Sequence, residues 1–233
     1  MQYLKEGQGS IPAVPFSQPK NLFRYGETTI WSTQLLTGAS VIANSTFRLF
    51  SVPLSSSGQG FQSSLTIAET SQKEAGRVSN GLAFDIYGVS ALVGKGSAAD
   101  DSVAGFAMNA PINTNALVTE LLNIQQNAVL SWDFTQTIVE IAPLHLIGAG
   151  GGAFGAVGVA LDNQAAPTQA DTGHMNNGAA NIFLYRRHPV SLPGGTTFSI
   201  LLRFGSRAAN VGANASFVKV ALFGFYKNVI EIG

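Results

Sequence analysis

Three histidines, one adjacent pair of carboxylates and one pair of arginines are the residues of this 233-residue chain whose types could carry chemistry. His145, His174 and His188 lie far apart, and none has a second histidine at helical or zinc-finger spacing. The chain has no cysteine, so thiolate nucleophiles, disulfides and thiolate metal sites are excluded, and a zinc site would need ligands gathered from distant loops. His145 ends an apolar strand and is expected in the core. His188 precedes Pro189 at a strand exit, and His174 closes the loop Asp171-Thr172-Gly173-His174. Asp100 and Asp101 form the kind of pair a hard cation uses, but no further oxygen ligands are visible beside them, and a solvated turn is expected. Glu69 and Glu74 flank Thr70-Ser71-Gln72-Lys73 with nothing that marks them as an acid and a base. Arg186 and Arg187 would point to opposite faces of a strand, one toward an internal carboxylate and the other toward solvent or a neighbour.

Gly148-Ala149-Gly150-Gly151-Gly152-Ala153 fits the G-x-G-x-x-A spacing of a dinucleotide loop. That loop works only when a helix follows and aims its N-terminus at the pyrophosphate. Here Phe154-Gly155-Ala156-Val157-Gly158-Val159 follows, whose glycines oppose a helix, and no βαβ pattern surrounds it. Phosphate-loop and nucleophile-elbow spacings are absent. The sequence therefore assigns no catalytic, cofactor-binding or metal-binding residue, implies no cofactor, and reads as a protein that is not an enzyme.

The elements that would position such residues are mostly strands. Thr28–Leu36, Thr46–Val52, Leu82–Val93, Leu130–Ile141, Ile182–Arg186, Thr197–Phe204 and Phe217–Tyr226 are rich in β-branched and aromatic residues, and Leu65–Ile67 adds a brief eighth candidate. Period two puts Leu130, Trp132, Phe134 and Ile138 on one face. It also puts Phe198, Ile200, Leu202 and Phe204 opposite Thr197, Ser199 and Arg203. Phe217–Tyr226 is apolar on both faces, as a central or covered strand would be. Turn signals at Ser55–Gly58, Asn80-Gly81, Pro193-Gly194-Gly195 and Gly205-Ser206 separate the strands. Leu117, Leu121 and Ile124, spaced i, i+4, i+7, predict one short helix over Asn115–Gln126, capped by Thr114 or Asn115. Segments 94–113 and 148–181 read as long Gly/Ala/Asn-rich loops. The expected fold is an all-β, antiparallel jelly-roll sandwich of about eight strands with one short helix over 21–233, preceded by an extended arm over 1–20 that carries Pro12, Pro15 and Pro19. A compact double jelly roll is the alternative, hinted at by the similar stretches Leu82–Val93 and Val220–Val229.

Composition sets the class of function. Apolar residues make up 45% of the chain and charged residues 11%, against roughly 25% charged in an ordinary domain. Interface cores are depleted in charge, so the deficit points to a surface that other copies cover. Thirteen basic residues balance thirteen acidic ones, with no basic run longer than Arg186-Arg187, so specific nucleic-acid binding is not expected. Ile141–Leu161 is uncharged and 21 residues long, enough to span a bilayer, but its six glycines and Pro143 favour a loop.

Three stretches carry a resemblance. They are Glu69 through Arg77 followed by Leu82-Ala83-Phe84-Asp85-Ile86-Tyr87-Gly88-Val89; Ile141-Ala142-Pro143-Leu144 with the glycine run 148–152; and Pro189 through Ile200 followed by Val220-Ala221-Leu222-Phe223-Gly224-Phe225-Tyr226. In these, and loosely over 22–233, the chain resembles the jelly-roll major capsid proteins of tailless icosahedral phages, a group that often encloses a lipid layer. The resemblance implies a virion location, upright jelly rolls in trimeric or pseudo-hexameric capsomers, an icosahedral shell, other virion proteins as partners and indirect contact with an internal membrane. It implies no catalytic residue. A tail or spike protein, or a lectin-like glycan-binding sandwich, is the competing expectation.

Overall fold

A computed structural model describes residues 22–38, 40–41, 43–80, 82–108, 110, 115–134, 137–147, 155–159, 170–174, 183–184 and 188–230. The arm over 1–20, the glycine run 148–152 and Arg186-Arg187 lie outside the described residues. Thirteen strands are described: β1 (Leu22–Leu36), β2 (Ser40–Val41), β3 (Thr46–Leu49), β4 (Leu82–Lys95), β5 (Ala128–Phe134), β6 (Thr137–Pro143), β7 (Gly155–Val159), β8 (Ala170–His174), β9 (Phe183–Leu184), β10 (Val190–Leu192), β11 (Ser199–Phe204), β12 (Ala209–Asn210) and β13 (Ser216–Ile230). The one α-helix among the described residues, α1 (Asn115–Asn127), agrees with the predicted stripe to within one residue.

Every strand pair is antiparallel. One sheet runs β1-β13-β4-β10, with β9 also on β4; the other runs β3-β11-β5-β6. With β9 and β10 taken as one position along β4, eight positions in chain order give a first sheet of 1-8-3-6 and a second of 2-7-4-5. The two similar stretches that hinted at a double roll are β4 and β13, which pair with each other inside the first sheet from Leu82↔Asn228 to Lys95↔Ser216.

Alternation explains how the sheets face one another. Val89, Ala91 and Val93 of β4 and Val218, Val220 and Leu222 of β13 meet Leu130 and Trp132 of β5 and Ile200, Leu202 and Phe204 of β11 in one buried cluster. Phe198 joins it, its ring 5.7 Å from Phe50 and 6.5 Å from Trp132. The predicted core face of Trp132, Phe198, Ile200, Leu202 and Phe204 is buried, and Phe134 is partly buried against it. Helix α1 closes one end by burying Leu121 and Ile124.

Four expectations need correction. Leu130–Ile141 is two strands: the chain reverses between Phe134 and Thr137, which face each other in register. The reversal restarts the alternation, so Ile138 lies opposite Asp133 and is 57% exposed instead of joining Trp132 in the core. Leu65–Ile67 is turn and irregular backbone, and its polar neighbours bind loop and sheet groups instead of forming a ladder. Within 148–181, β7 and β8 pair as a hairpin from Gly155↔His174 to Val159↔Ala170. His145 lies in a short 3-10 turn (Leu144–Leu146) where it is exposed, while Leu144 takes the buried position.

Candidate interaction surfaces

The residues singled out for chemistry are dispersed. His145 and His188 are exposed, and His174 lies in β8. Among the described residues no three His, Asp or Glu side chains gather as metal ligands. Glu69 Oε2 accepts from the Thr66 amide at 2.7 Å and from the Thr66 hydroxyl, closing its own turn. Glu74 stands 4.0 Å from Arg77, whose guanidinium donates to Asn80 Oδ1 at 2.8 Å. The two glutamates serve separate turns. β7 follows the glycine run as a strand, so the helix that a dinucleotide loop requires is not there.

Asp100 and Asp101 act as loop fasteners. Asp100 accepts from the Ser102 hydroxyl and, at 3.0 Å, from the Ser102 amide; these bonds hold its carboxyl below the usual carboxylate range. Asp101 accepts from the Gln62 and Ser63 amides, both at 2.8 Å, and from the Ser63 hydroxyl. Burial pushes the Asp101 carboxyl up, but the Ser63 hydroxyl and the two amides together outweigh it and hold it low. Segment 96–108 is thereby tied to segment 61–65.

Those two segments cover half of the first sheet's outer face. Leu35 and Phe217 from the sheet bury with Phe61 and Leu65, with Leu92, Phe106 and Met108 packed against them. Residues 66–71 continue along the edge of β1: the Ser71 amide donates to Trp31 O at 3.0 Å, Trp31 Nε1 to Ile67 O at 2.9 Å and Thr33 Oγ1 to Glu69 O at 2.8 Å. Lys219 Nζ donates to Ala68 O at 2.8 Å and stands 5.7 Å from the centre of the Trp31 ring. Burial lowers the Lys219 pKa, and the Glu69 charge opposes that shift. The other half of this face has no such strap among the described residues. There Tyr87 and Phe225 pack ring to ring at 5.3 Å, and Phe225 is 40% exposed.

The outer face of the second sheet is polar by contrast. Arg48 pairs with Asp133 at 2.9 Å, and Ser199 Oγ lies 3.3 Å from the same carboxylate. Its last strand, β6, presents Thr137, Ile138, Val139 and Glu140 all exposed. A cleft of about 500 Å³ opens beside β1, lined by Trp31, Tyr226, Gln72, Lys73, Glu74 and Arg77 among others.

One internal group was not singled out from the sequence. Lys95, at the inward-facing end of β4, is 1% exposed. Its Nζ donates to Val211 O at 2.6 Å, Asn214 O at 3.0 Å and Ser216 Oγ at 3.1 Å, and pairs with Glu120 Oε2 of α1 at 2.7 Å. The signal was in the alternation, since Val89, Ala91, Val93 and Lys95 fall on one face of β4.

These features define an antiparallel β-sandwich whose described surface offers apolar places for contact. The chain matches no family model, no curated protein and no solved structure.

Proposed function

We propose that the chain is a structural coat subunit that self-assembles into a closed icosahedral shell of a virion. The observation that carries the reading is the winding. In sheets ordered 1-8-3-6 and 2-7-4-5 every consecutive pair of strands crosses between the two layers except the 4-5 hairpin, as in two nested Greek keys, and this supports a jelly roll. Jelly rolls recur in capsids, lectins and cupins, so the fold alone does not choose among them. The choice rests on the surface: low charge, and a Tyr87–Phe225 face and a partly apolar β6 margin that no described residue covers, favour contact with further copies.

The test is the mass of the full chain at high concentration by light scattering, with negative-stain imaging. Closed particles are expected. Deleting residues 1–20 should leave a folded subunit with impaired assembly, because that segment has no period with which to build a core. A strictly monomeric chain that binds a sugar or turns over a substrate overturns the reading. The cleft beside β1 favours a second one, glycan binding, since it pairs Trp31 and Tyr226 with Lys73, Glu74 and Arg77. A saccharide titration abolished by Trp31→Ala would support that second reading.

A further inference from the structure

The edge of β6 is built differently from the edge of β1. Along β1, residues 70–71 occupy the outward backbone groups, with Ser71 bonded to Trp31 in both directions and Thr70 bridged to Ser32. Along β6, Thr137, Ile138, Val139 and Glu140 pair with β5 and have no other partner among the described residues. Ile138 is 57% and Val139 46% exposed. Among the described residues this stretch has no lysine, no proline and no covering loop; its one charge is Glu140, and a bulge follows only beyond that residue. An edge of this kind takes a further strand.

We propose that β6 pairs antiparallel with β6 of a second copy, joining the two second sheets into one continuous sheet across a two-fold axis. The occupant is a second copy because the strand complements itself. A two-fold axis normal to the sheet places one residue opposite its own counterpart and keeps inner and outer faces matched. With Val139 on the axis, Val139 meets Val139 and Ile138 meets Glu140 on each side, so the aliphatic part of the glutamate side chain covers Ile138. With Glu140 on the axis, two carboxylates would face each other, which is unfavourable. With Ile138 on the axis, Val139 would pair with the first residue of β6 and Glu140 would pair beyond the strand's start at Thr137. Beyond Glu140 the strand turns inward, where Ile141 and Ala142 are buried. The Val139 register therefore uses the exposed stretch best. The contact is isologous and closes at two copies by itself, so it stands whether or not a shell forms.

The absence of cysteine permits a direct test. Residues directly opposite in an antiparallel pair have Cβ atoms about 4.5–5.5 Å apart, close to the roughly 3.8 Å that a disulfide bridges. Full-length Val139→Cys should cross-link to a two-copy band on a non-reducing gel under mild oxidant. Ile67→Cys, more accessible at 61% exposure but on the strap, should stay single. Val139→Lys, which sets two ammonium groups against each other on the axis, should abolish the two-copy species in sedimentation while leaving the far-ultraviolet spectrum unchanged. If Val139→Cys cross-links no better than Ile67→Cys, or if Val139→Lys folds and keeps the two-copy mass, the proposal is overturned. Should Val139→Lys not fold, the cysteine comparison decides alone. Cross-linked pairs without particles would refute the shell and leave the pair intact; particles without cross-links would do the reverse.

Discussion

Replacing Lys95 by methionine removes a charge that the fold has enclosed. The ammonium is bound by four oxygens from three places: Glu120 on the helix, Val211 and Asn214 in the β12–β13 connection, and Ser216 at the start of β13. Methionine fills much of the same volume, so packing loss is small. What remains is a Glu120 carboxylate whose side chain is only 14% exposed, with no counter-charge, and two carbonyls that have lost a charged donor. Breaking a buried pair from one side costs about 3–5 kcal/mol, because the surviving charge stays desolvated. For a domain of this size that is a fall in melting temperature of about 6–20 °C. Glu120→Gln should cost less, about 1–3 kcal/mol, since an amide oxygen can still accept from the ammonium and three neutral acceptors remain. The double variant Lys95→Met with Glu120→Leu should recover part of the loss, because no unpaired charge is left. Urea titration with fluorescence of the two tryptophans reads all three. The reasoning is refuted if Lys95→Met lies within about 1 kcal/mol of the parent, or if Glu120→Gln is the more damaging change.

Phe198→Ala, at a site 2% exposed between Phe50 and Trp132, should cost about 3–5 kcal/mol in chemical unfolding; an unchanged midpoint would place the residue outside the core. Gly94→Ala should cost about 1–3 kcal/mol, because a methyl group there would sit 2.2 Å from the Phe217 ring that lies across the glycine; a melting curve checks it. Asp101→Asn should destabilise by about 1 kcal/mol at neutral pH. Its sign with pH follows from a folded pKa below the unfolded value of 3.8: the carboxylate's contribution is present above that value and is lost as pH falls through the folded pKa. Parent and variant stabilities should therefore converge in acid, and a gap that widened there would contradict the lowered pKa.

The sequence disclosed those parts of the fold that a local period encodes. β11 alternates apolar and polar residues without interruption from Phe198 to Phe204 except at Leu201, and every inward residue it implies is buried. Leu117, Leu121 and Ile124 mark α1 in the same way, because a 3.6-residue period survives in a helix end to end. The period fails where the chain reverses. Between Phe134 and Thr137 it restarts with the opposite phase, and Ile138 passes from the apparent core face to the side of Asp133. The strap over the first sheet has no period at all. It is held by single bonds from Trp31, Thr33 and Lys219 to backbone oxygens, which no spacing announces. Lys95 was readable in phase but not in purpose, since its partners come from 25 to 121 positions further along the chain.

Symmetry decides what the β6 edge and the Tyr87–Phe225 face, which no described residue covers, can build. A β6–β6 contact is isologous, so by itself it ends at two copies. The Tyr87–Phe225 face lies on the other sheet, whose outer side points away from the one that β6 extends. A pair joined at β6 therefore keeps both of these faces free. If each face meets a third copy about a different axis, two operators act on every subunit, and where those axes meet at one centre at an angle that a point group allows they generate a closed shell instead of a dimer. Each contact can then be weak, because every subunit is held by both and partial assemblies lose several contacts at their rim. Blocking one operator should leave the product of the other. Val139→Lys should stop assembly at the ring made by the Phe225 face, and Phe225→Asp should stop it at the β6 pair. A single species from both variants would mean that the two places belong to one contact.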